Sequence, residues 1–293
     1  MDIQIGIIGL GRVGSALAPA LDRAGWKVSA VYDESQERRN RMPPIRGCRV
    51  LKDMDQLPGR VSVWFLTVAD DDIQNAATCL KAGLRRSGSL IVAHCSGAHS
   101  ADLLACLRGK NTGIASVHPL QSLSDFDQWQ RLYNIFYALE GDATALDVLT
   151  SIFSPLGRVV TLSREDKPLY HLACVIASNF FVVLEDMAFR LLERMTGDKA
   201  KAADMLYPLI STSLENIRLQ GTSRALTGPF VRGDVSILEK HVAALPEQFP
   251  ELRNIYLQMG QWALKMAAEQ SETDLQKLNR MEKELECLQK RRD

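Results

Sequence analysis

Lys167 and His171 lie one helical turn apart in a stretch of helical periodicity that opens near Arg164. A cation and an imidazole at that spacing suit reduction of a ketone or imine. A hydride acceptor of that kind needs electrostatic stabilisation and a proton where negative charge develops. At 100° per residue, His171, Cys174, Ser178 and Glu185 fall within about 40° of Lys167. Leu172, Val175, Ile176, Phe180 and Val183 occupy the other faces. Such a polar stripe can face solvent, a subunit interface or a cleft between domains. Lys167 and Ser178 are about 16 Å apart along the axis, so they cannot both touch one small carbonyl. Asn179 points away from the stripe and reads as a buried hydrogen-bonding residue.

His94-Cys95-Ser96-Gly97 and His118-Pro119-Leu120-Gln121 follow strand-like runs. Ligands of open α/β sheets bind beyond such strand ends. A structural histidine bonded to a carbonyl is as good a reading as a catalytic one for His94 and His118. Pro119 favours extended backbone at His118. Ser96 can present an amide to a cofactor, as can the backbone of Thr67-Val68; Asp70-Asp71-Asp72 is better read as a helix cap. Nucleophilic hydrolysis is disfavoured because no GxSxG elbow is present. Metal binding is disfavoured too, because His94, His99, His118, His171 and His241 form no close pair on one helix face.

These residues need a scaffold, and the N-terminus announces one. The apolar run Ile3 to Ile8 leads into Gly9-Leu10-Gly11-Arg12-Val13-Gly14. Gly9 permits the tight turn, Gly11 the approach of a pyrophosphate, and Gly14 close packing of helix on strand. The helix amides from Arg12 and Val13 onward would face the phosphates. A second strand, Lys27 to Tyr32, ends in Asp33, 19 positions after Gly14, where an acid binds ribose hydroxyls. Asp33 favours NAD, whereas Arg38, Arg39 and Arg41 could accommodate NADP.

Further strand-like segments, Val61 to Thr67, Leu90 to Cys95, Ile114 to Val117, Ile135 to Leu139 and Val159 to Leu162, alternate with helix-capable stretches. The expected fold is α/β, a doubly wound, mostly parallel sheet over residues 1–162, followed by an all-helical domain over 163–293. Its helices are placed at Arg164 to Thr196, Lys199 to Leu219, Ser236 to Ala244 and Pro250 to Gln270, with a loop from Gly221 to Gly233. The charged tail from Glu272 to Asp293 carries Leu275, Leu278, Met281, Leu285 and Leu288 at helical spacing. It reads as an amphipathic helix packed on the body or on a partner chain.

The 293 residues are 46% hydrophobic and 24% charged, with Lys plus Arg equal to Asp plus Glu at 35 each, so no overall field draws nucleic acid or an anionic membrane. The six cysteines form no CxxC pair and no signal peptide precedes the first strand, which points to the cytoplasm. Leu172 to Leu184 is too short to span a bilayer and reads as a buried helix.

Beyond the glycine turn, the chain resembles bacterial Rossmann-like oxidoreductases that carry the domain of unknown function 2520. The resemblance rests on Thr67 to Ile73, His94 to Ala98, Ser116 to Gln121, Lys167 through Tyr170-His171, Ser178-Asn179 and Glu215-Asn216. It extends over Leu226 to Pro229, Arg232-Gly233-Asp234 and His241. It departs at Asp33, where many relatives have Arg-Ser-like residues, and at Ala69, where Pro is usual. The resemblance implies an NAD(P)-binding domain and a helical domain similar to those of 6-phosphogluconate dehydrogenase and pyrroline-5-carboxylate reductase. It also implies a homodimer through the helical domain and a small 2-oxo acid substrate such as ketopantoate. Lys167, His171 and His118 become the catalytic candidates, and Ser178, Asn179, Asn216 and Arg232 the substrate-binding ones. Arg232 would anchor a carboxylate through its planar guanidinium. Competing expectations are an imine substrate, or a nucleotide-binding sensor or scaffold that performs no redox step.

Overall fold

The computed structural model describes residues 3–84, 88–245, 249–270 and 274–290. The chain divides into two compact units, Met1–Phe181 and Val182–Asp293. The first is built on strands β1 (Gln4–Ile8), β2 (Lys27–Tyr32), β3 (Arg49–Val50), β4 (Val63–Leu66), β5 (Leu90–His94), β6 (Thr112–Pro119), β7 (Phe136–Gly141) and β8 (Arg158–Thr161). Its helices are α1 (Arg12–Arg23), α2 (Gln36–Arg41), α3 (Ile73–Gly83), α4 (Ala143–Phe153) and α5 (Lys167–Cys174). A π-helical segment, Val175–Phe180, follows α5.

The eight strands form one sheet in the order β3-β2-β1-β4-β5-β6-β7-β8. All pairs are parallel except β6 with β7. The strand order reverses at β1, which pairs with β2 on one side and β4 on the other, and this switch point opens a crevice at the carboxyl ends of the strands. β1, β4 and β5 are buried at every position because helices cover both faces, which is why they read as unbroken apolar runs. On one face Leu17 and Leu21 of α1 and Leu149 and Ile152 of α4 pack with Phe65, Val117 and Tyr137. On the other, Ile73 and Leu80 of α3 and Leu104 pack with Trp64, Val92 and Ile114.

The regular elements of the second unit, among its described residues, are all helices: α6 (Phe181–Thr196), α7 (Lys199–Ala225), α8 (Pro229–Arg232), α9 (Val235–Ala244), α10 (Pro250–Ala268) and α11 (Leu275–Lys290). Leu238, Leu257, Leu264, Met281, Leu285 and Leu288 form its core. The tail helix is amphipathic as its spacing predicts and buries Leu278, Met281, Leu285 and Leu288; the ends of the predicted tail, 272–273 and 291–293, lie outside the described residues.

Three expectations need correction. Strands do end at Thr161 among the described residues, yet the compact units divide after Phe181, because α5 packs against the ends of the sheet. The segment from Gly221 to Gly233 is not a plain loop: α7 runs on to Ala225 past a break at Gly221 (φ 79°), and Pro229, with φ preset for a first turn, starts α8. Leu172 to Leu184 is not buried: Leu172, Ile176, Phe180, Val182 and Val183 are all exposed. Lys167–Thr196 is long and apolar enough to cross a membrane by length and composition, and none of its most apolar window is buried.

Candidate active site

The glycine turn forms as its spacing predicts. Gly9 has φ +98°, which a side chain would strain, and its amide donates to Tyr32 O at 2.8 Å. A Cβ on Gly14 would collide with Gly9 O and with Thr67 Oγ1, so α1 can approach the strand ends only with glycine there. A Cβ on Gly11 would meet nothing within 4 Å, and no side chain caps α1. Open space before uncapped helix amides is what an anionic phosphate needs, so the residues present fit a dinucleotide.

Asp33 and Thr67 frame this turn. Asp33 is buried, with Oδ2 accepting from Leu10 N at 2.6 Å and Oδ1 from Ser35 N at 2.8 Å. Arg38 approaches Oδ2 at 3.6 Å, and Arg39 donates to the carbonyls of Asp33 and Glu34. Its first task is therefore to clamp the turn, which a reading of Asp33 as a free ribose ligand overlooks. Thr67 Oγ1 donates to Gly9 O at 2.5 Å and Ile8 O at 3.1 Å; it too holds the turn rather than a cofactor. Val68, just beyond β4, is half-buried beside it.

A second cluster gathers at the carboxyl ends of β5 and β6. Lys167, at the start of α5, is 1% exposed; its Nζ donates to Ser96 O at 3.0 Å and Ser116 Oγ at 2.7 Å. Burial pushes its pKa down to about 8, against the pull of Glu140. His118 is next to last in β6, with Nδ1 at 2.7 Å from the Tyr170 hydroxyl, and its ring lies 6.3 Å from that of His171. Burial, with Lys167 and His171 nearby, lowers the His118 pKa to about 4, so the ring is neutral. A Cβ on Gly97 would sit 2.8 Å from His171 Nδ1 and 3.0 Å from the His118 ring, so only glycine lets both imidazoles reach the backbone here. His171 Nδ1 is buried and has no hydrogen-bond partner among the described residues.

The other predicted residues distribute as follows. His94 is the structural histidine: Nδ1 accepts from Ser96 N at 3.2 Å and Nε2 faces Ser100 O at 3.0 Å. Ser96 does not offer its hydroxyl to a ligand, because that group bonds Asp70 Oδ2 at 2.9 Å and the amides of Ala98 and His99. Asp70 thus receives a hydroxyl instead of capping a helix, and neither Ala69 nor Asp72 supplies a side-chain cap. Ser178 and Asn179 are exposed on the π-helical segment, so the expectation of a buried Asn179 is wrong. Asn216 and Arg232 belong to the second unit, where Arg232 Nε is taken by Asp234 Oδ2 at 2.8 Å.

Sequence reasoning missed Glu140 and underrated Tyr170 and Ser116. An acid inside the apolar strand Phe136–Gly141 was the available signal for Glu140, since buried carboxylates need a partner. Tyr170 is adjacent in sequence to His171, but its bond to His118 spans 52 residues and shows only in the fold.

Comparisons with other proteins bear on the fold. Residues 1–119 match a Rossmann-like domain and residues 135–263 match a domain of unknown function (DUF2520). A Bacteroides fragilis protein named as a proposed NADP oxidoreductase superposes with a TM-score of 0.73 at 22% identity, covering 90% of this chain and 98% of that one. A Thermotoga maritima protein gives 0.71 at 24%, with 90% and 98% covered. Pyrroline carboxylate reductase of Plasmodium falciparum, solved with NADP bound, gives 0.59 at 14%, with 91% and 96% covered. No curated protein matches the chain.

Proposed function

We propose that the chain, whose residues 1–119 match a Rossmann-like domain and 135–263 a domain of unknown function (DUF2520), is an NAD(P)-dependent oxidoreductase reducing a small carbonyl compound. The best substrate reading is a 2-oxo acid such as ketopantoate. Gly9, Gly11 and Gly14 with the amides from Arg12 and Val13 would hold the pyrophosphate, with Asp33, Thr67 and Ser96 shaping the cradle and Val68 beside it. When bound, NAD(P)H supplies the hydride.

The protein's own part is the proton and the charge. The observation that carries the reading is the buried His171 Nδ1, without a hydrogen-bond partner among the described residues, one turn from the fixed ammonium of Lys167. An unsatisfied buried nitrogen is costly, and a ligand oxygen or nitrogen would satisfy it. Lys167 stabilises charge developing on the reduced oxygen. His171 delivers the proton, and neutral His118, held by Tyr170, orients the group. One hydride to carbon and one proton to oxygen convert the ketone to an alcohol. Because the ammonium is required, turnover falls as pH rises through about 8. Asn216 and Arg232 are proposed substrate ligands, tested by a rise in KM on alanine substitution.

The test is oxidation of NADH and NADPH, each alone, with and without ketopantoate. Substrate-dependent oxidation that Lys167→Ala reduces at least ~100-fold, with nucleotide affinity changed little, supports the assignment. Nucleotide binding without turnover on any oxo acid or imine removes it. The likeness to a pyrroline carboxylate reductase favours one second reading, an imine substrate, for which a cyclic imine replaces ketopantoate in the same assay.

We also propose that the protein is a homodimer through its helical domain and works in the cytoplasm. The exposed apolar side chains of α6 and α7 support the first, and six free thiols fit the second.

A further inference from the structure

A row of buried polar side chains crosses three neighbouring strands of the sheet. His94, Ser116 and Glu140 are register partners on β5, β6 and β7, and all three are buried. Glu140 Oε2 accepts from Ala101 N at 2.7 Å and from Ser116 Oγ at 3.3 Å. Ser116 Oγ in turn accepts from Lys167 Nζ. We propose that Glu140 is a positioning residue that, through Ser116, holds Lys167 in its ammonium form at the ends of β5 and β6. The inference rests on the reductase reading for the use made of that ammonium.

The hydrogen bonds run in one direction, from ammonium to hydroxyl to carboxylate, so each polarises the next. The Ala101 amide fixes the carboxylate at the far end. Other titratable groups face Lys167: Asp70 beyond β4, His94 and Cys95 at the end of β5, His118 on β6, and His171 on its own helix. Burial keeps the two strand histidines and the Cys95 thiol uncharged at neutral pH. Asp70 is about half-exposed and already takes the Ser96 hydroxyl, with His99 Nε2 at 3.8 Å. Glu140 is therefore the buried counter-charge, and without it burial would drive the proton off Lys167.

The experiment is a pH titration of full-length protein labelled with 13C at lysine Cε, with Lys167→Ala identifying the signal. Glu140→Gln is expected to lower the Lys167 midpoint by about one pH unit, and Ser116→Ala to lower it in the same direction. The high-pH limb of kcat should move down with it while the KM for nucleotide stays unchanged, a pattern that loose packing alone would not produce. If Glu140→Gln does not fold, Ser116→Ala carries the test, since it removes only the bridging hydroxyl. A Lys167 midpoint unchanged in the folded variants overturns the proposal. Wild-type protein without turnover would sink the reductase reading instead, and the Lys167 titration would still decide the link to Glu140.

Discussion

His94 illustrates what a single buried side chain does for the fold. Burial lowers its pKa from 6.5 to about 4, against its bond to Ser100. The unfolded chain takes up a proton below pH 6.5 and the folded chain does not until about 4. Stability therefore falls as pH drops through that window, by about 1.4 kcal/mol per pH unit from this group. His118, lowered to about 4 as well, adds a like share, so urea midpoints measured between pH 7 and 4 should show both, and His94→Asn should remove about half of the slope whatever it does to stability at pH 7. A slope unchanged in the variant would mean that His94 is already charged in the fold. At this scale the sequence was half legible. The types and spacing of Lys167, His171 and His118 singled out residues that the fold brings near one another. Their partners could not be read, because Lys167 reaches Ser96 and Ser116 across 71 and 51 residues.

At the scale of elements, the glycine turn separates two roles that a motif runs together. Gly14→Ala puts a methyl into Gly9 O and Thr67, so α1 must move, and a loss of roughly 1–3 kcal/mol in thermal or urea unfolding is expected. Gly11→Ala meets open space at a φ of −69°, so stability should change by under about 1 kcal/mol while NAD(P)H affinity, read by fluorescence titration, drops steeply. Equal losses of stability in the two variants would contradict this division. The strands and α1 were legible because local conformation and apolar patterning set them. Pro229 as a helix starter and the continuation of α7 past Gly221 were not, since turn residues also occur at first helical turns and at kinks.

For the whole molecule, α6 and α7 carry many of the exposed large apolar side chains. Val182, Val183, Leu209, Leu214 and Leu219 are all exposed, and large apolar side chains gathered on two helices are the kind of surface that partners cover. Val183→Glu with Leu209→Glu should convert the proposed dimer to a monomer by light scattering. A wild-type protein that is monomeric, or that sediments with lipid vesicles, would refute the self-association. The sequence by itself determined the doubly wound sheet, the dinucleotide turn and the helical second half, because glycine conformation and apolar periodicity are local properties. Only the tertiary structure decided that Asp33 clamps the turn, that Ser96 and Thr67 serve the backbone, and that Glu140 stands behind Lys167. Those roles arise where strand register and the seating of α5 bring together residues far apart along the chain.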